Sequence, residues 1–295
     1  FPGRVEIYDL EWTYSKFEEH FKKITNKDFL PQEVAFAKDF IKKFISHETI
    51  YSSYFLVKVK FSVFEFIAHY VKRIKELGGI YVRYLLQRRR LKNFDYESKA
   101  IFKLSIKAPF KTIKKNLRTK LQKNIFDKID PKDKYFFFPI QYEPEASTLV
   151  LATYYSNQLA TIKYIATTLP FPYKLYVKEH PGSVGSRTNA FYKEIKKIPN
   201  AILLSANEST PQIIKGSEGV ITMTSTVGME AAMAGKPVYV LGNVFYSYHP
   251  LCKKIVNFED LKQKIREDLK TGVTTLGLED INMRFIISYL RSGFA

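Results

Sequence analysis

Three polar side chains near the middle of the chain are of types that bind phosphate. Lys178 and His180 stand two residues apart before a Pro-Gly pair, and Arg187 follows at loop distance. Ammonium, imidazole and guanidinium groups donate charge-assisted hydrogen bonds to phosphate oxygens. A lone histidine is more often structural, but its position directly after an apolar run favours a binding role. We therefore predict that these three residues belong to an anion site.

A second cluster of hydroxyl groups precedes a short helical pattern. Ser225 and Thr226 are followed by Gly228 and Glu230. The first backbone N–H groups of a helix have no intrahelical partner and favour an anion. Glu230 lies where it could reach a ribose hydroxyl. Ordinary N-capping by Ser or Thr explains the same hydroxyls, and the two roles are compatible.

Two acids form a third cluster, around a proline. Gln141 is followed by Glu143 and Glu145. In glycosyl transfer a carboxylate serves as base or as nucleophile at the anomeric carbon. An ordinary acidic loop is the alternative. Tyr246 and His249, further along the chain, are candidates together with Gln141 for the lining of a base or sugar pocket, whereas Phe245 is expected to pack within its loop.

Each cluster follows a segment predicted as a strand. Strands are expected over 135–141, 173–178, 201–204, 219–224 and 237–241, and helices over 156–169, 190–197, 211–215, 227–234 and 258–271. Such alternation predicts a parallel sheet that is covered on both faces. Ligands of these sheets bind beyond the carboxyl ends of the strands, which is where the polar clusters fall.

The first part of the chain has a different pattern. Apolar residues recur at three- and four-residue spacing over 14–25 and 33–45, and further helices are expected over 61–77 and 80–92. We therefore predict two regions. Residues 1–130 form a mainly helical, basic region, and residues 131–295 form a Rossmann-like domain.

The charge of +18 is concentrated in the first region. Residues 72–128 carry 18 basic against 4 acidic residues, with Arg88, Arg89 and Arg90 as the densest cluster. Such a field attracts nucleic acid, anionic lipid or acidic glycans, although solvated helix faces explain it equally well. No apolar run reaches the length of about 20 residues that spans a bilayer. The single cysteine, Cys252, excludes an internal disulfide and fits a reducing cytosol.

Four motifs in this order resemble the capsule polysaccharide biosynthesis family. They are QYEPE (141–145), VKEHP (177–181), TSTVGMEAAMAGKPV (224–238) and LGNVFY (241–246). That family includes the transferases of Kdo (3-deoxy-manno-octulosonic acid) in capsule assembly. The resemblance implies an α/β, GT-B-like fold with a nucleotide-sugar-binding domain. Since a full GT-B enzyme has two Rossmann-like domains, residues 1–130 would be the remnant or a helical replacement of the other one.

The resemblance also implies roles for individual residues. The HP and Ser/Thr motifs are similar to those of bacterial sialyl- and polysialyltransferases, where they hold the phosphate of a CMP-sugar. This implies nucleotide contacts from His180, Ser225 and Thr226. Glu145 matches an aspartate that acts on the anomeric carbon in Kdo transferases, but its side chain differs in length. The chain shows no Asp-X-Asp motif near these sites, which fits metal-independent chemistry with no cofactor beyond the donor substrate.

We therefore expect a glycosyltransferase that moves a sugar from a nucleotide donor to a surface polysaccharide or glycolipid. A CMP-linked 2-keto acid sugar such as Kdo is preferred, with Glu145 as the catalytic acid and Glu143 in support. A UDP- or GDP-sugar donor, a basic polymer-binding protein and a non-catalytic partner of another transferase are the alternatives. The expected location is cytoplasmic, at the anionic inner face of the membrane. Nucleic acid is not favoured, because no ordered aromatic and basic RNA-binding motif is present.

Overall fold

The computed structural model describes residues 14–46, 71, 78, 113–122, 124–143 and 145–292. The chain divides into two compact units. One comprises Phe1–Phe55 together with Ile125–Ala295, and the other comprises Leu56–Asn124.

The larger unit is built on a six-stranded parallel sheet. Its strands are β1 Tyr135–Pro139, β2 Lys174–Lys178, β3 Ala201–Leu204, β4 Gly219–Thr222, β5 Val238–Val240 and β6 Cys252–Lys254. Their order in the sheet is β3-β2-β1-β4-β5-β6, and all neighbouring pairs are parallel. This is the strand order of Rossmann folds. The five strands expected from the sequence are therefore all present, and β6 is an addition.

Nine α-helices in the described part of the larger unit are labelled α1 to α9. They are α1 Ser15–Lys23, α2 Pro31–Ile45, α3 Ala146–Leu151, α4 Gln158–Thr168, α5 Asn189–Lys196, α6 Thr210–Gly216, α7 Val227–Met233, α8 Phe258–Thr271 and α9 Leu278–Ser292. Seven of these were expected to within a few residues, whereas α3 and α9 were not. α7 is followed by Gly235 just after its C-cap residue, and the φ of 82° at this position suits a residue without a β-carbon.

The sheet is buried on both faces because its strands carry apolar residues on both. Along β1, Phe136 and Phe138 point into one core cluster, and Tyr135 and Phe137 point into another. All five residues of β1 are buried. The helices cover both faces, as the absence of a polar strand face predicts. The predicted α/β class, with helical residues preceding a Rossmann-type parallel sheet, is confirmed.

Helices α1 and α2 pack on the C-terminal helix α9. Phe17 and Phe285 meet edge to face with ring centroids 5.0 Å apart, and both side chains are fully buried. The Arg291 guanidinium donates to both carboxylate oxygens of Glu33, at 2.9 and 2.7 Å. Residues 15–45 thus share a core with the sheet. The predicted division between residues 1–130 and 131–295 stays a prediction.

In the smaller unit the structure describes a helical segment over 113–121. Ile113, Leu117 and Leu121 are exposed on it at four-residue spacing. The helices predicted over 61–77 and 80–92 lie outside the described residues except for Val71, which is helical, and the Arg88–90 cluster lies wholly outside them. Within the part of the chain that is described, no helix is long and apolar enough to cross a membrane.

Candidate functional site

The strand order brings the predicted polar clusters to one edge of the sheet. β1 is central and lies between β2 and β4. The chain continues from β1 to β2 and β3 on one side and then crosses to β4 on the other side, so the strand order reverses at β1. The crevice beyond the carboxyl ends at such a reversal is the usual ligand site of open α/β sheets. The loops after β1, β2 and β4 carry the three clusters that sequence analysis singled out.

Lys178 is the last residue of β2 and only 6% exposed. Burial lowers the pKa of its ammonium group to about 8, against the opposing attraction of Glu230, Glu208 and Glu179. Among the described residues, no hydrogen bond or ion pair engages this ammonium. Lys178 is thus a desolvated cation in the first predicted cluster, within electrostatic range of Glu230 in the second.

His180 follows β2 with a fixed ring orientation. Its Nδ1 accepts a hydrogen bond from the Gly182 N–H at 3.0 Å, and its ring centroid lies 5.7 Å from that of Tyr142. Burial lowers the pKa of the imidazole, and the charges of Lys178 and Arg187 lower it further. The ring is therefore neutral near pH 7. Because Nδ1 accepts, the proton sits on Nε2, which makes Nε2–H a donor.

The Arg187 side chain binds groups of the protein itself, whereas the sequence predicted that it binds a phosphate. Its guanidinium donates to Glu143 Oε2 at 3.0 Å and to the Gln141 carbonyl at 2.5 Å, and its Nε lies 3.3 Å from Glu179 Oε2. The guanidinium also covers the Phe191 ring, 4.8 Å from its centroid. The side chain is 9% exposed. Arg187 therefore ties the loop after β1 to the loop after β2.

The loop after β1 is held by the side-chain amide of Gln158, a residue that no sequence motif singles out. Gln158, the first residue of α4, accepts from the Gln141 N–H at 2.7 Å and donates to the Gln141 carbonyl at 3.2 Å. Its amide also donates to the Glu143 carboxylate. On the other side, the Thr224 hydroxyl lies 3.5 Å from the Gln141 Oε1. Gln141 is thus a buried bridge between the loops after β1 and β4.

The two acids of this loop have different surroundings. The Glu143 carboxylate binds Arg187 and Gln158. Glu145 is exposed, lies just before α3, and makes no side-chain capping hydrogen bond. Among the described residues, none donates a hydrogen bond to its carboxylate. The supporting role predicted for Glu143 and the chemical role predicted for Glu145 both fit this arrangement, and both stay predictions.

The turn after β4 is held in place by hydrogen bonds to its own residues and to Tyr246. The Ser225 N–H donates to Thr222 Oγ1 at 3.2 Å, and the Ser225 hydroxyl accepts from the Val227 N–H at 3.3 Å. Thr226 is exposed and its side chain caps nothing. The Tyr246 hydroxyl donates to the Ser225 carbonyl at 2.6 Å. The turn therefore presents Thr226 to solvent on a rigid backbone.

A family model described as "Capsule polysaccharide biosynthesis protein" matches residues 81–270, more than half of the chain. The chain belongs to the capsule polysaccharide biosynthesis family. The predicted resemblance is thereby confirmed, and all four motifs of this family member lie within the matched residues. Comparison with curated protein sequences gave no match.

Solved structures with similarity to this capsule family member include two from Thermosulfurimonas dismutans. They are the KpsC beta Kdo 2,7 transferase, at 21% identity and a TM-score of 0.37, and the KpsC beta Kdo 2,4 transferase, at 16% and 0.36. The matches cover 58% and 60% of this chain and 52% and 55% of theirs. The spinosyn rhamnosyltransferase SpnG, complexed with thymidine diphosphate, matches at 15% and 0.34, over 54% of this chain and 42% of its own. The chain thus spans about half the length of the KpsC structures.

Three predicted site residues have structural roles in this family member. His249 is 2% exposed, accepts from the Leu251 N–H through Nδ1 at 3.2 Å, and contacts Asn282 Oδ1 through Nε2 at 3.0 Å. Burial lowers its pKa to about 4. Tyr246 is 1% exposed, so neither residue lines an open pocket as predicted. A β-carbon at Gly228 would lie 2.9 Å from the Tyr246 ring, so this glycine permits close packing.

Sequence analysis assigned no role to Glu179, Tyr192 or Gln158, although all three position the predicted site. Glu179 stands between Lys178 and His180, and its side chain is fully buried. An acid within a buried strand end is itself a signal, because a carboxylate is rarely buried without partners. Tyr192 and Gln158 lie on helices, and nothing in their local pattern distinguishes them. As expected, Phe245 packs, in its case against Phe17 and Phe285.

Proposed function

We propose that the Rossmann-type unit binds the nucleotide sugar of a glycosyltransferase that acts in capsule polysaccharide synthesis. One observation carries the proposal. Lys178 and His180 after β2, and the Ser225–Thr226 turn after β4, flank the carboxyl end of β1 at the reversal of the strand order. A buried cation, a neutral imidazole donor, the half-buried Ser225 hydroxyl and the exposed Thr226 hydroxyl thus follow the two strands that neighbour β1, which suits a nucleotide phosphate.

Each group has a definite part in this proposal. Lys178 supplies charge and His180 supplies a directed hydrogen bond from Nε2. α7 has only seven residues, so we assign phosphate binding to the side chains and the Ser225–Thr226 turn rather than to a helix dipole. Glu230, 9% exposed at the first turn of α7, is proposed to bind a ribose hydroxyl. Arg187 is proposed to position these groups rather than to bind the phosphate itself.

A CMP-linked 2-keto acid sugar such as Kdo is our preferred donor, and a UDP- or GDP-sugar is the alternative. The preference is supported by the VKEHP and TSTVG motifs, which resemble those of CMP-sugar transferases. The acceptor is proposed to be a glycan or glycolipid of the cell surface. The chemistry is proposed to need no metal, with Glu145 acting at the anomeric carbon.

The first test measures nucleotide binding and its dependence on His180. A ligand that binds only the folded protein raises its melting temperature, so CMP, UDP and GDP are screened by thermal shift. For the nucleotide that binds, calorimetry on His180→Ala should show an affinity loss of about 10- to 100-fold, as expected for one hydrogen bond to a charged group. His20→Ala, at an exposed position on α1, is the matched control and should bind normally.

Two results would count against the proposal. If no nucleotide shifts the melting temperature, the unit is not a nucleotide site. If His180→Ala stays folded and keeps the wild-type affinity, the site lies elsewhere on the protein. If UDP or GDP raises the melting temperature and CMP does not, the proposal of a transferase stands and the preferred donor is replaced by a UDP- or GDP-sugar.

We further propose that the basic residues attach the protein to an anionic membrane surface. The helical segment over 113–121 combines exposed Ile113, Leu117 and Leu121 with Lys114 and Lys120, which suits an interface of apolar and anionic groups. Residues 72–128 carry a net charge of +14. Each basic residue close to such a surface contributes about 1 kcal/mol of attraction.

Vesicle sedimentation tests this attachment. Binding to vesicles of anionic lipid should weaken steeply as salt rises, because the attraction is screened, and neutral vesicles should bind poorly. A triple Arg88, Arg89, Arg90→Ala variant should lose most vesicle binding and keep its nucleotide affinity. A charge-matched triple variant at exposed Lys193, Lys215 and Lys270 is the control. Equal losses in both triple variants, or binding to RNA instead of vesicles, would refute the proposal.

A further inference from the structure

We propose that Glu179 is the positioning residue of the nucleotide site. Its buried carboxylate collects the donors that set the orientation of His180 and the place of the loop after β1. The proposal deepens the proposed function and rests on it. Glu179 itself contacts no substrate in this account, and it acts through its neighbours.

Three groups converge on the Glu179 carboxylate. Oε1 accepts the His180 backbone N–H at 2.6 Å, and Oε2 accepts the Tyr192 hydroxyl at 2.7 Å. Arg187 Nε lies 3.3 Å from Oε2. Burial raises the pKa of Glu179, while Arg187 and these hydrogen bonds oppose the rise. The carboxylate is therefore held in one position by a backbone amide, a buried phenol and a guanidinium.

The contact with the His180 N–H fixes the backbone from which the imidazole projects. The His180 residue is extended, with φ −74° and ψ 133°, and this conformation lets Nδ1 accept from the Gly182 N–H. That acceptance places the proton on Nε2. Glu179 thus supports the tautomer in which His180 can donate to a phosphate.

The contact with Arg187 extends the influence of Glu179 to the loop after β1. Arg187 is shared between Glu179, Glu143 and the Gln141 carbonyl. If the guanidinium loses its buried partner Glu179, the remaining contacts join two loops that no longer have a common anchor beside the end of β2. One carboxylate in the interior therefore sets the separation of the loops that carry Glu143 and His180.

Stability alone does not explain such an arrangement. Replacing a buried ion pair by apolar groups is often neutral or favourable, so these contacts are weak evidence for a stabilising role. What a carboxylate supplies here is direction, because it can accept from a backbone amide and a phenol while it pairs with a guanidinium. Directed contacts beside a binding crevice are what a preorganised site requires.

The chain offers a matched control at the opposite end of the same two strands. Asp133, just before β1, accepts the Tyr176 hydroxyl at 2.9 Å and pairs with Lys174 at 2.8 Å. It has the same partner types as Glu179, a phenol and a cation. Asp133→Asn therefore removes a comparable network that lies away from the carboxyl ends of the strands.

The experiment compares Glu179→Gln with Asp133→Asn. Calorimetry with the nucleotide that raises the melting temperature of wild type should show a loss of about ten-fold or more in Glu179→Gln, as expected when one charge-assisted contact is misplaced. Asp133→Asn should keep the wild-type affinity within about two-fold, even if its melting temperature falls by as much as that of Glu179→Gln. Equal affinity in both variants would overturn the proposal.

Two further measurements keep the test decisive. If Glu179→Gln does not fold, Tyr192→Phe takes its place with Tyr176→Phe as control, and only Tyr192→Phe should weaken nucleotide binding.

Nitrogen NMR of the histidines reports the His180 tautomer without any nucleotide. In the wild-type protein His180 should be in the Nε2–H form, whereas in Glu179→Gln it should be a mixture of the Nε2–H and Nδ1–H tautomers. A pure Nε2–H form in a folded variant contradicts the inference, whereas wild type that binds no nucleotide contradicts only the proposed function.

Discussion

Glu145→Gln is expected to reduce sugar transfer by a factor of about 10² to 10⁴, the usual contribution of one acid or base group. Glutamine keeps the shape of the side chain and removes its charge, so nucleotide affinity should stay within about two-fold of wild type. The reason lies in the surroundings of the two acids. Glu143 is committed to Arg187 and Gln158, whereas the exposed Glu145 carboxylate accepts no hydrogen bond from the described residues. Of these two acids, Glu145 is therefore the one that we propose to act at the anomeric carbon.

The measurement is steady-state transfer with the donor identified by the nucleotide screen, together with calorimetry on the bare nucleotide. Glu143→Gln is the informative comparison, because it disturbs the contacts of Arg187. It should therefore change nucleotide affinity as well as the turnover number. A Glu145→Gln enzyme with near-normal turnover would refute the assignment. If Glu143→Gln then lost turnover instead, the two acids would exchange roles.

The sheet and the positions of the polar residues at its edge could be predicted from the sequence because both follow from local pattern. Runs such as YFFFP (135–139) and GVIT (219–222) are short, apolar and bounded by turn residues, which is typical of strands covered on both faces. The polar residues directly after them could then be placed at one edge by topology alone. Lys178, His180, Ser225 and Thr226 lie at this edge, and their role in binding stays a prediction.

The roles of Arg187, Tyr246 and His249 could not be predicted because their partners are distant in sequence. Arg187 binds Glu143, 44 residues away, and His249 binds Asn282, 33 residues away. A polar side chain in a loop has the same sequence appearance whether it faces a ligand or an internal partner. Only the packing of α9 against the loop after β5 decides that His249 is internal.

The missed elements share a related cause. β6 has three residues, of which two are lysines, and becomes a strand through pairing with β5 rather than through its own pattern. α9 is amphipathic, but the surface that it buries is completed by residues near the start of the chain. Phe21, for example, contacts Phe285 with ring centroids 5.6 Å apart. With a boundary expected at residue 130, the sequence offers no neighbouring apolar surface within 131–295 that would indicate α9.

These contacts make α1 a structural part of the sheet unit, although more than a hundred residues separate them in sequence. Phe17 is fully buried and its ring meets those of Phe285, Phe245 and Tyr248. Arg284 adds a hydrogen bond to the Phe21 carbonyl at 3.1 Å. Deleting the ring of Phe17 would leave a cavity against α9 that these aromatic neighbours can fill only in part.

We therefore expect Phe17→Ala to lower the free energy of unfolding of the sheet unit by about 3–5 kcal/mol, which is typical of a buried phenylalanine. Chemical denaturation followed by circular dichroism measures the loss. Tyr154→Ala, at a side chain that is 99% exposed, is the control and should change stability by less than about 0.5 kcal/mol. If residues 1–130 folded as an independent domain, Phe17→Ala would leave the unfolding of the sheet unchanged. A single transition shifted as a whole would instead show that α1 unfolds together with the sheet.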